Sequence, residues 1–170
     1  MKSLLKITLA LVFSIAGVYL GNKISWKLRE EKNKEFNYSR ISINKMDFIT
    51  TYQGSKRSKI IFALFHPSCD FCKADAEQFL KSNDQLKKFT ALWVSYDEKD
   101  SIQKFSKTYG LDTLANVHFA YMDIEAMLER YGKVKFPTFL AYDKDGQLLK
   151  KFVGLTKPEE ILQAYMDAGD

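Results

Sequence analysis

The chain has few of the side chains that hold metal ions: its 170 residues include two cysteines and two histidines. A structural zinc site takes four ligands, which usually come from two cysteine pairs or from cysteines combined with histidines. His66 is near Cys69 and Cys72 in the sequence, but His118 lies in an apolar run that is predicted to be a strand. We therefore expect no metal and no organic cofactor, and a non-catalytic thiol metal-binding module is the weaker alternative.

The chain also lacks an excess of basic residues outside its N-terminal part. Its formal net charge is +5; residues 1–40 hold 8 Lys/Arg against 3 Asp/Glu, whereas residues 41–170 hold 18 of each. A domain that binds nucleic acid usually carries a clustered basic face, so we expect no nucleic-acid partner. Basic residues confined to one end are more typical of a segment beside a membrane.

One long apolar run is present, at the N-terminus. Residues 3–21 contain Lys6 as their only charged side chain. This length predicts a transmembrane helix in residues 1–21 that stays as a membrane anchor, with a cleaved signal segment as the alternative. Residues 22–40 are charged and are predicted to form a tether. Either interpretation exports the domain of residues 41–170. The protein is then a single-pass protein of the cell membrane that faces the periplasm or extracytoplasmic side, or it is secreted after cleavage.

From residue 41 onward, apolar runs alternate with amphipathic segments. Three apolar runs are predicted to be strands, and each is followed by a segment with helical spacing. Two further strands flank the hairpin motif Asp-Lys-Asp-Gly at residues 143–146. Alternating strands and helices favour crossover connections and a mainly parallel sheet, to which the hairpin adds an antiparallel edge. The sequence thus predicts an α/β fold with a mixed central sheet and helices on both faces. Residues 44–52 are predicted to form a short helix before the first strand.

The two cysteines are three positions apart in HPSCDFCKAD, at the predicted start of a helix that follows a buried strand. The free N–H groups and the helix dipole at this position favour the thiolate of Cys69, and the thiolate is the nucleophilic form of cysteine. Cys72 lies one helical turn later, so its sulfur can approach that of Cys69. This pattern predicts a redox pair in which Cys69 attacks and Cys72 resolves. A purely structural disulfide would close too small a loop to stabilise the fold much.

Two stretches, IIFALFHPSCDFCKADAEQFL and YGKVKFPTFLAYDKDGQLLKKFVG, resemble the thioredoxin-like superfamily. More narrowly, the chain resembles the membrane-tethered thiol–disulfide oxidoreductases of the TlpA/ResA type. The resemblance covers roughly residues 41–168 and implies a thioredoxin-like fold. It also implies an enzyme that reduces protein disulfides outside the cytoplasm, and a membrane or thiol redox partner that recycles the cysteine pair.

The resemblance implies roles for three further residues. It places a cis peptide bond before Pro137 and an extended substrate chain beside Phe136 and Pro137. It gives Asp75 an acid–base role, because relatives of the TlpA/ResA type carry Glu at this place, three residues after the second cysteine. Packing of Asp75 against the strand IIFALF is expected to raise its pKa by burial.

The sequence departs from the family pattern before the first cysteine. Ser68 stands where the family usually has Trp, and Ala63 stands where a minimal thioredoxin has a buried Asp. A thiol peroxidase on the same fold is an alternative, but His66 and Phe62 occupy the places where a peroxiredoxin-like site has Thr or Ser and an upstream Pro.

Asp70, directly after the first cysteine, bears on the direction of electron flow. Its negative charge should oppose formation of the Cys69 thiolate. Because a less stable thiolate means a less stable reduced form, the sequence predicts a reductant rather than an oxidant.

Overall fold

The computed structural model describes residues 38–52 and 58–169. The predicted anchor, and the predicted tether up to residue 37, lie outside the described residues. Within the described ranges, no helix has the length and apolar character needed to cross a membrane.

Six strands form one mixed sheet in the order β1–β4–β3–β2–β5–β6. Strands β2, β3 and β4 are mutually parallel, whereas β1 joins β4, and β5 and β6 extend the other side, in antiparallel pairing. Their bounds are β1 Asp47–Phe48, β2 Ile60–Leu64, β3 Thr90–Ser95, β4 Val117–Tyr121, β5 Thr138–Tyr142 and β6 Leu148–Val153. The predicted combination of parallel strands with an antiparallel hairpin is confirmed.

The central strand β2 reads IIFAL and is buried along its whole length. Because successive side chains of a strand point to opposite faces, Ile61 and Ala63 enter one apolar cluster, whereas Phe62 and Leu64 enter the other. An unbroken apolar run is what a strand covered on both faces requires.

Helices cover both faces of the sheet. Inner side chains of α1, α3 and α5 join the first apolar cluster, which surrounds Trp93, and those of α4 join the second. The helices are α1 Asp70–Lys81, α2 Asn83–Leu86, α3 Lys99–Thr108, α4 Ile124–Tyr131 and α5 Pro158–Asp167, and a 3₁₀ turn covers Leu111–Thr113. The prediction of an α/β sheet with helices on both faces is therefore confirmed.

The hairpin between β5 and β6 forms where the sequence predicts it. One carboxylate oxygen of Asp143 accepts hydrogen bonds from the backbone N–H groups of Asp145 and Gln147, both at 2.8 Å. Gly146 has φ +76°, a backbone conformation that favours glycine, and a Cβ there would lie 3.1 Å from Ile41.

The helix predicted for residues 44–52 is wrong. Asp47 and Phe48 form strand β1, which pairs with Tyr121 and Ala120 of β4. Met46 and Phe48 alternate with exposed Asp47, and both pack against the second apolar cluster. A segment this short cannot nucleate a stable helix by itself, and the free edge of β4 offers it backbone partners.

Residues 38–41 pack against the domain beside β6. The hydroxyl of Tyr38 donates to the carbonyl oxygen of Tyr131 at 2.5 Å. The N–H of Leu148 donates to the carbonyl of Ser39 at 3.0 Å, and Arg40 forms an isolated bridge with Gln147. The end of the predicted tether is therefore held along the first part of the edge strand.

Candidate active site

Cys69 occupies the junction between β2 and α1. The turn that carries it is closed by a hydrogen bond from the N–H of Cys69 to the carbonyl of His66, at 3.0 Å. Cys69 is the N-terminal cap of α1 with extended backbone angles (φ −76°, ψ 121°), and its carbonyl accepts the N–H of Lys73 at 3.1 Å. The side chain is partly exposed, and neither cysteine is in a disulfide. A partly exposed thiol at a helix start can meet a substrate from solvent.

Cys72 is buried on the inner face of α1, with 0% of its surface exposed. Burial raises the pKa of the Cys72 thiol, although a hydrogen bond with the backbone at His66 acts in the opposite direction. A hydrogen bond with the Cys69 side chain and the negative charges of Cys69 and Asp75 raise this pKa further. In the reduced protein Cys72 is therefore a protonated thiol close to Cys69.

The loop before β5 faces Cys69. Its Phe136–Pro137 peptide bond is cis, as predicted. The thiol of Cys69 donates to the carbonyl oxygen of Phe136 at 3.6 Å. The carbonyl of Pro137 accepts the N–H of Gly154 at 2.8 Å. The hydrogen bond to Gly154 joins the loop to the residue that follows β6. The backbone of the loop lies next to the partly exposed sulfur of Cys69.

Asp75 lies beneath the cysteines on α1 and is only 2% exposed. One carboxylate oxygen accepts the N–H of Thr156 at 3.1 Å, and the other is buried without a hydrogen-bond partner among the described residues. Burial raises the pKa of Asp75 to about 7, against the opposing effect of the Thr156 hydrogen bond. The expectation that burial raises this pKa is confirmed, and the carboxyl group can gain or lose a proton near neutral pH.

His66 is the histidine that lies near the cysteines. Its Nδ1 lies 2.8 Å from the hydroxyl of Ser68, and its Nε2 lies 3.8 Å from a carboxylate oxygen of Asp97. The ring centroids of Tyr96 and Phe136 lie 5.4 and 6.1 Å from that of His66. His66 therefore belongs to the rim of the site.

The site also includes Tyr96, Asp97 and Thr156, which were not predicted from the sequence. Tyr96 and Asp97 follow β3 directly, and the carboxyl ends of neighbouring parallel strands meet at one edge of a sheet. That rule applied to β2 and β3 could have found them. Thr156 contributes only its backbone N–H to Asp75, and the sequence carries no signal for this contact.

His118 lies in β4, and its ring packs edge-on against the ring of Tyr52, with 5.1 Å between the two centroids. Burial lowers the pKa of His118. Among residues 38–52 and 58–169, no group of three or more His, Cys, Asp or Glu side chains is placed to hold a metal ion.

Asp70 and Lys73 form an ion pair on the exposed side of α1, with 2.7 Å between nitrogen and oxygen. The hydrogen bond to Lys73 lowers the pKa of Asp70. The hydrogen bond to Asp70 raises the pKa of Lys73, and the charges of Tyr109 and Cys69 act in the same direction. The ammonium group of Lys73 is thus within electrostatic range of Cys69. Its positive charge balances the negative charge of Asp70, which the sequence-based prediction of the redox potential had considered without Lys73.

The sheet order, the cysteine pair at the start of α1 and the cis-proline loop beside it define a protein of the thioredoxin-like class. The family model for the thioredoxin-like domain matches residues 45–169, and the chain belongs to this family. None of the curated proteins compared with the chain matches it significantly. The predicted membership of the thioredoxin-like superfamily is confirmed.

Solved structures with the same fold include a named disulfide oxidoreductase and other proteins. A secreted Mycobacterium tuberculosis disulfide oxidoreductase, homologous to Escherichia coli DsbE, is 18% identical with a TM-score of 0.53, over 64% of this chain and 81% of that chain. StoA from Bacillus subtilis is 17% identical with a TM-score of 0.55, over 71% and 96%. A DsbF homologue from Corynebacterium diphtheriae is 14% identical with a TM-score of 0.54, over 65% and 72%. The thioredoxin-like family supports a thiol–disulfide oxidoreductase, and these structures share the fold.

The buried carboxyl group makes the stability of the protein depend on pH. In the unfolded chain an Asp carboxyl ionises near pH 4, whereas in the native protein Asp75 ionises only near pH 7. Between these values the native state holds the extra proton, so the stabilisation is full below about pH 4 and is lost as the pH rises to about 7. Because Asn cannot ionise, Asp75→Asn should stabilise the protein by roughly 2–4 kcal/mol at about pH 8 and have little effect at about pH 4.

Urea denaturation of the reduced protein at the two pH values measures this difference. Glu77→Gln is the matched control, because Glu77 is an exposed carboxylate on the same helix and its removal should change stability little at either pH. An Asp75→Asn variant that is less stable than the wild type at the higher pH would show that Asp75 is not a buried group with a raised pKa.

Proposed function

We propose that this protein is a thiol–disulfide oxidoreductase that reduces protein disulfides outside the cytoplasm, with Cys69 as nucleophile and Cys72 as resolving thiol. The observation that carries the proposal is the asymmetry of the pair. Cys69 is partly exposed at the start of α1, whereas Cys72, one turn further, is fully buried. An exposed attacker and a sheltered resolver are what two-step thiol–disulfide exchange requires.

The reaction follows from this placement. The thiolate of Cys69 attacks one sulfur of the substrate disulfide, the substrate S–S bond breaks, and its other sulfur leaves as a thiolate that takes up a proton. Cys72 then loses its proton and attacks the sulfur of Cys69. The second substrate sulfur leaves, and the protein holds a Cys69–Cys72 disulfide. The substrate gains two electrons and two protons. The protein loses two electrons and the proton of Cys72 during the reaction, and the second proton is the one that Cys69 released to solvent when its thiolate formed.

Asp75 is the group that we assign to the proton of Cys72. Cys72 is buried and protonated, so the second step needs a base within the protein. The carboxylate oxygen of Asp75 without a hydrogen-bond partner is available for a proton, and its pKa of about 7 suits exchange near neutral pH.

The substrate chain is expected to lie extended beside Phe136 and Pro137. The backbone of this loop adjoins the Cys69 sulfur, and Pro137 has no N–H to compete for hydrogen bonds there. Pairing of an extended peptide with an exposed backbone segment gives affinity without fixing the sequence of the peptide.

The N-terminal sequence supports an extracytoplasmic location, and the reaction itself requires a redox partner. Residues 1–21 would anchor the protein in the membrane and residues 22–40 would tether the domain on the extracytoplasmic side. A secreted disulfide oxidoreductase of the same fold supports this location. After each cycle the protein is oxidised, so a membrane protein or another thiol must return two electrons to the cysteine pair.

Replacement of the resolving thiol tests the proposed function. Reduced Cys72→Ser should accumulate a mixed disulfide between Cys69 and a denatured test protein whose own disulfides are intact, because no thiol remains to release it. Cys69→Ser should accumulate little, since the remaining thiol is buried. Mass spectrometry of the trapped species measures both. Equal trapping by the two variants, or faster alkylation of Cys72 than of Cys69 in the wild type, would contradict the assignment.

The role of Asp75 predicts a selective kinetic defect. Asp75→Asn should slow release of the mixed disulfide by about 10²-fold or more while changing the initial attack by Cys69 much less. The inflection near pH 7 in the rate of the second step should also disappear. Single-turnover measurements of mixed-disulfide formation and decay separate the two steps.

Asp75→Glu serves as the conservative control and should retain most of the activity, since it keeps an ionisable carboxyl group at this place. An Asp75→Asn variant with unchanged decay rate and unchanged pH profile would show that Asp75 is a structural residue.

The direction of electron flow is tested by the reduction potential of the pair. The carboxylate of Asp70 is paired with Lys73, so neither charge acts on Cys69 unopposed. We expect a potential near the roughly −270 mV of thioredoxin, and a value above about −180 mV would mark an oxidant instead. Equilibration with glutathione or dithiothreitol buffers gives the value.

Two single substitutions on α1 should move the potential in opposite directions. Asp70→Asn leaves the cation of Lys73 unbalanced near Cys69 and should raise the potential, whereas Lys73→Gln should lower it.

A further inference from the structure

A groove of about 320 Å³ lies beside the cysteine turn, between that turn and α3. The turn contributes Pro67 and Ser68, the residues just before Cys69, and α1 contributes Lys73. Neither Phe136 nor Pro137 lines it. The groove is therefore separate from the place where we expect the substrate backbone to lie, although it is lined by the two residues that precede Cys69.

The groove carries a cation that has no ion-pair partner among the described residues. Lys104 of α3 lines it and forms no ion pair with any residue in the described ranges, Asp100 one turn earlier included. Lys73, on the opposite wall, is paired with Asp70 at 2.7 Å. Asp97 also borders the groove, but one of its oxygens accepts the N–H of Glu98 at 2.8 Å and the other lies 3.8 Å from His66.

The remaining walls suit a short side chain that ends in a polar group. Hydroxyl groups of Ser101 and Thr108 border the groove and can donate hydrogen bonds, and the hydroxyl of Ser68, which also contacts His66, borders it as well. The buried ring of Phe105 and the partly buried ring of Tyr109 form an apolar base, with 4.7 Å between their centroids. A chain of methylene groups can pack on the rings while its terminal oxygens meet hydroxyls and ammonium groups.

From this arrangement we infer that the Lys104 groove binds a carboxylate side chain next to the disulfide of a peptide substrate, so that the protein prefers disulfides flanked by Glu or Asp. The inference rests on the proposed function and adds a substrate class to it. The bound carboxylate meets Lys104 and the hydroxyl groups while the neighbouring substrate cysteine meets Cys69. In the reaction that follows, the same bonds form and break as for any other disulfide.

Oxidation of the reduced protein by matched peptides tests the inference. Three short disulfide-bonded peptides are used that differ in one residue beside the cysteine, which is Glu, Gln or Lys, and the second-order rate of loss of protein thiols is measured at low ionic strength. Because an exposed charge pair contributes modestly, the wild type should react about two- to fivefold faster with the Glu peptide than with the Gln peptide. The preference should shrink in high salt.

Lys104→Gln should bring the Glu-to-Gln rate ratio close to one. Lys107→Gln is the matched control: it removes the same charge from the same helix, but Lys107 does not line the groove. It should keep the wild-type ratio. Lys104→Glu should reverse the preference in favour of the Lys peptide.

The outcomes separate the inference from the proposed function. Equal rates with the Glu and Gln peptides, or equal effects of Lys104→Gln and Lys107→Gln, would overturn the proposed binding of a carboxylate in the groove. Neither result would contradict the proposed oxidoreductase function. Failure of all three peptides to oxidise the cysteine pair would overturn the proposed function, and the inference with it. In a further arm, a small dicarboxylate disulfide replaces the peptides. A Lys104-dependent preference seen only there, and not with peptides, would overturn the peptide assignment.

Discussion

Burial of strand β2 on both faces and pairing on both of its edges is the constraint on which the site depends. β3 is its parallel neighbour on one side and β5 its antiparallel neighbour on the other, in continuous register from Ile60 to Leu64. Because β2 is held in this way, its end has a fixed position. The turn that follows it therefore fixes the position at which α1 begins. The same pairing places Thr138 opposite Leu64, which sets the cis-proline loop beside the cysteine turn. The two halves of the site thus come from neighbouring strands of one rigid sheet.

The inner face of α1 gives the two cysteines different environments. Cys72, Ala76 and Phe79 are buried against the first apolar cluster, whereas Cys69 remains at the cap. The difference arises at the helix end, because Cys69 is the cap residue before the first turn, whereas Cys72 lies on the stripe that packs against the sheet. The same stripe carries Asp75 into the interior. Desolvation there raises the pKa of its carboxyl group to about 7, so that this group can exchange a proton near neutral pH.

Much of this could be predicted from the sequence because the signals are local. Apolar runs gave β2, β3 and β4, the Asp-Lys-Asp-Gly motif gave the hairpin, and the spacing of the cysteines gave the exposed and buried pair. Strand β1 could not be predicted, since its two residues are held by the edge of β4 and not by their own propensity. The contact between Thr156 and Asp75 joins residues 81 positions apart through a backbone N–H, which no side-chain pattern reveals. The charge beside Cys69 was misjudged for a simpler reason: Asp70 was considered without Lys73, one turn away on the same helix.

The way in which residues 38–41 lie along β6 has a consequence for association between copies. Edge strands expose unpaired backbone groups that can recruit a strand from another molecule, and aggregation through such edges is a general hazard of sheet proteins. Here Ser39 and Arg40 occupy the first part of the edge. The middle of β6 carries the exposed cations of Lys150 and Lys151, which repel a like strand, and the opposite edge is the two-residue β1. The sheet therefore offers little template for strand exchange at high local concentration, as on a crowded membrane surface.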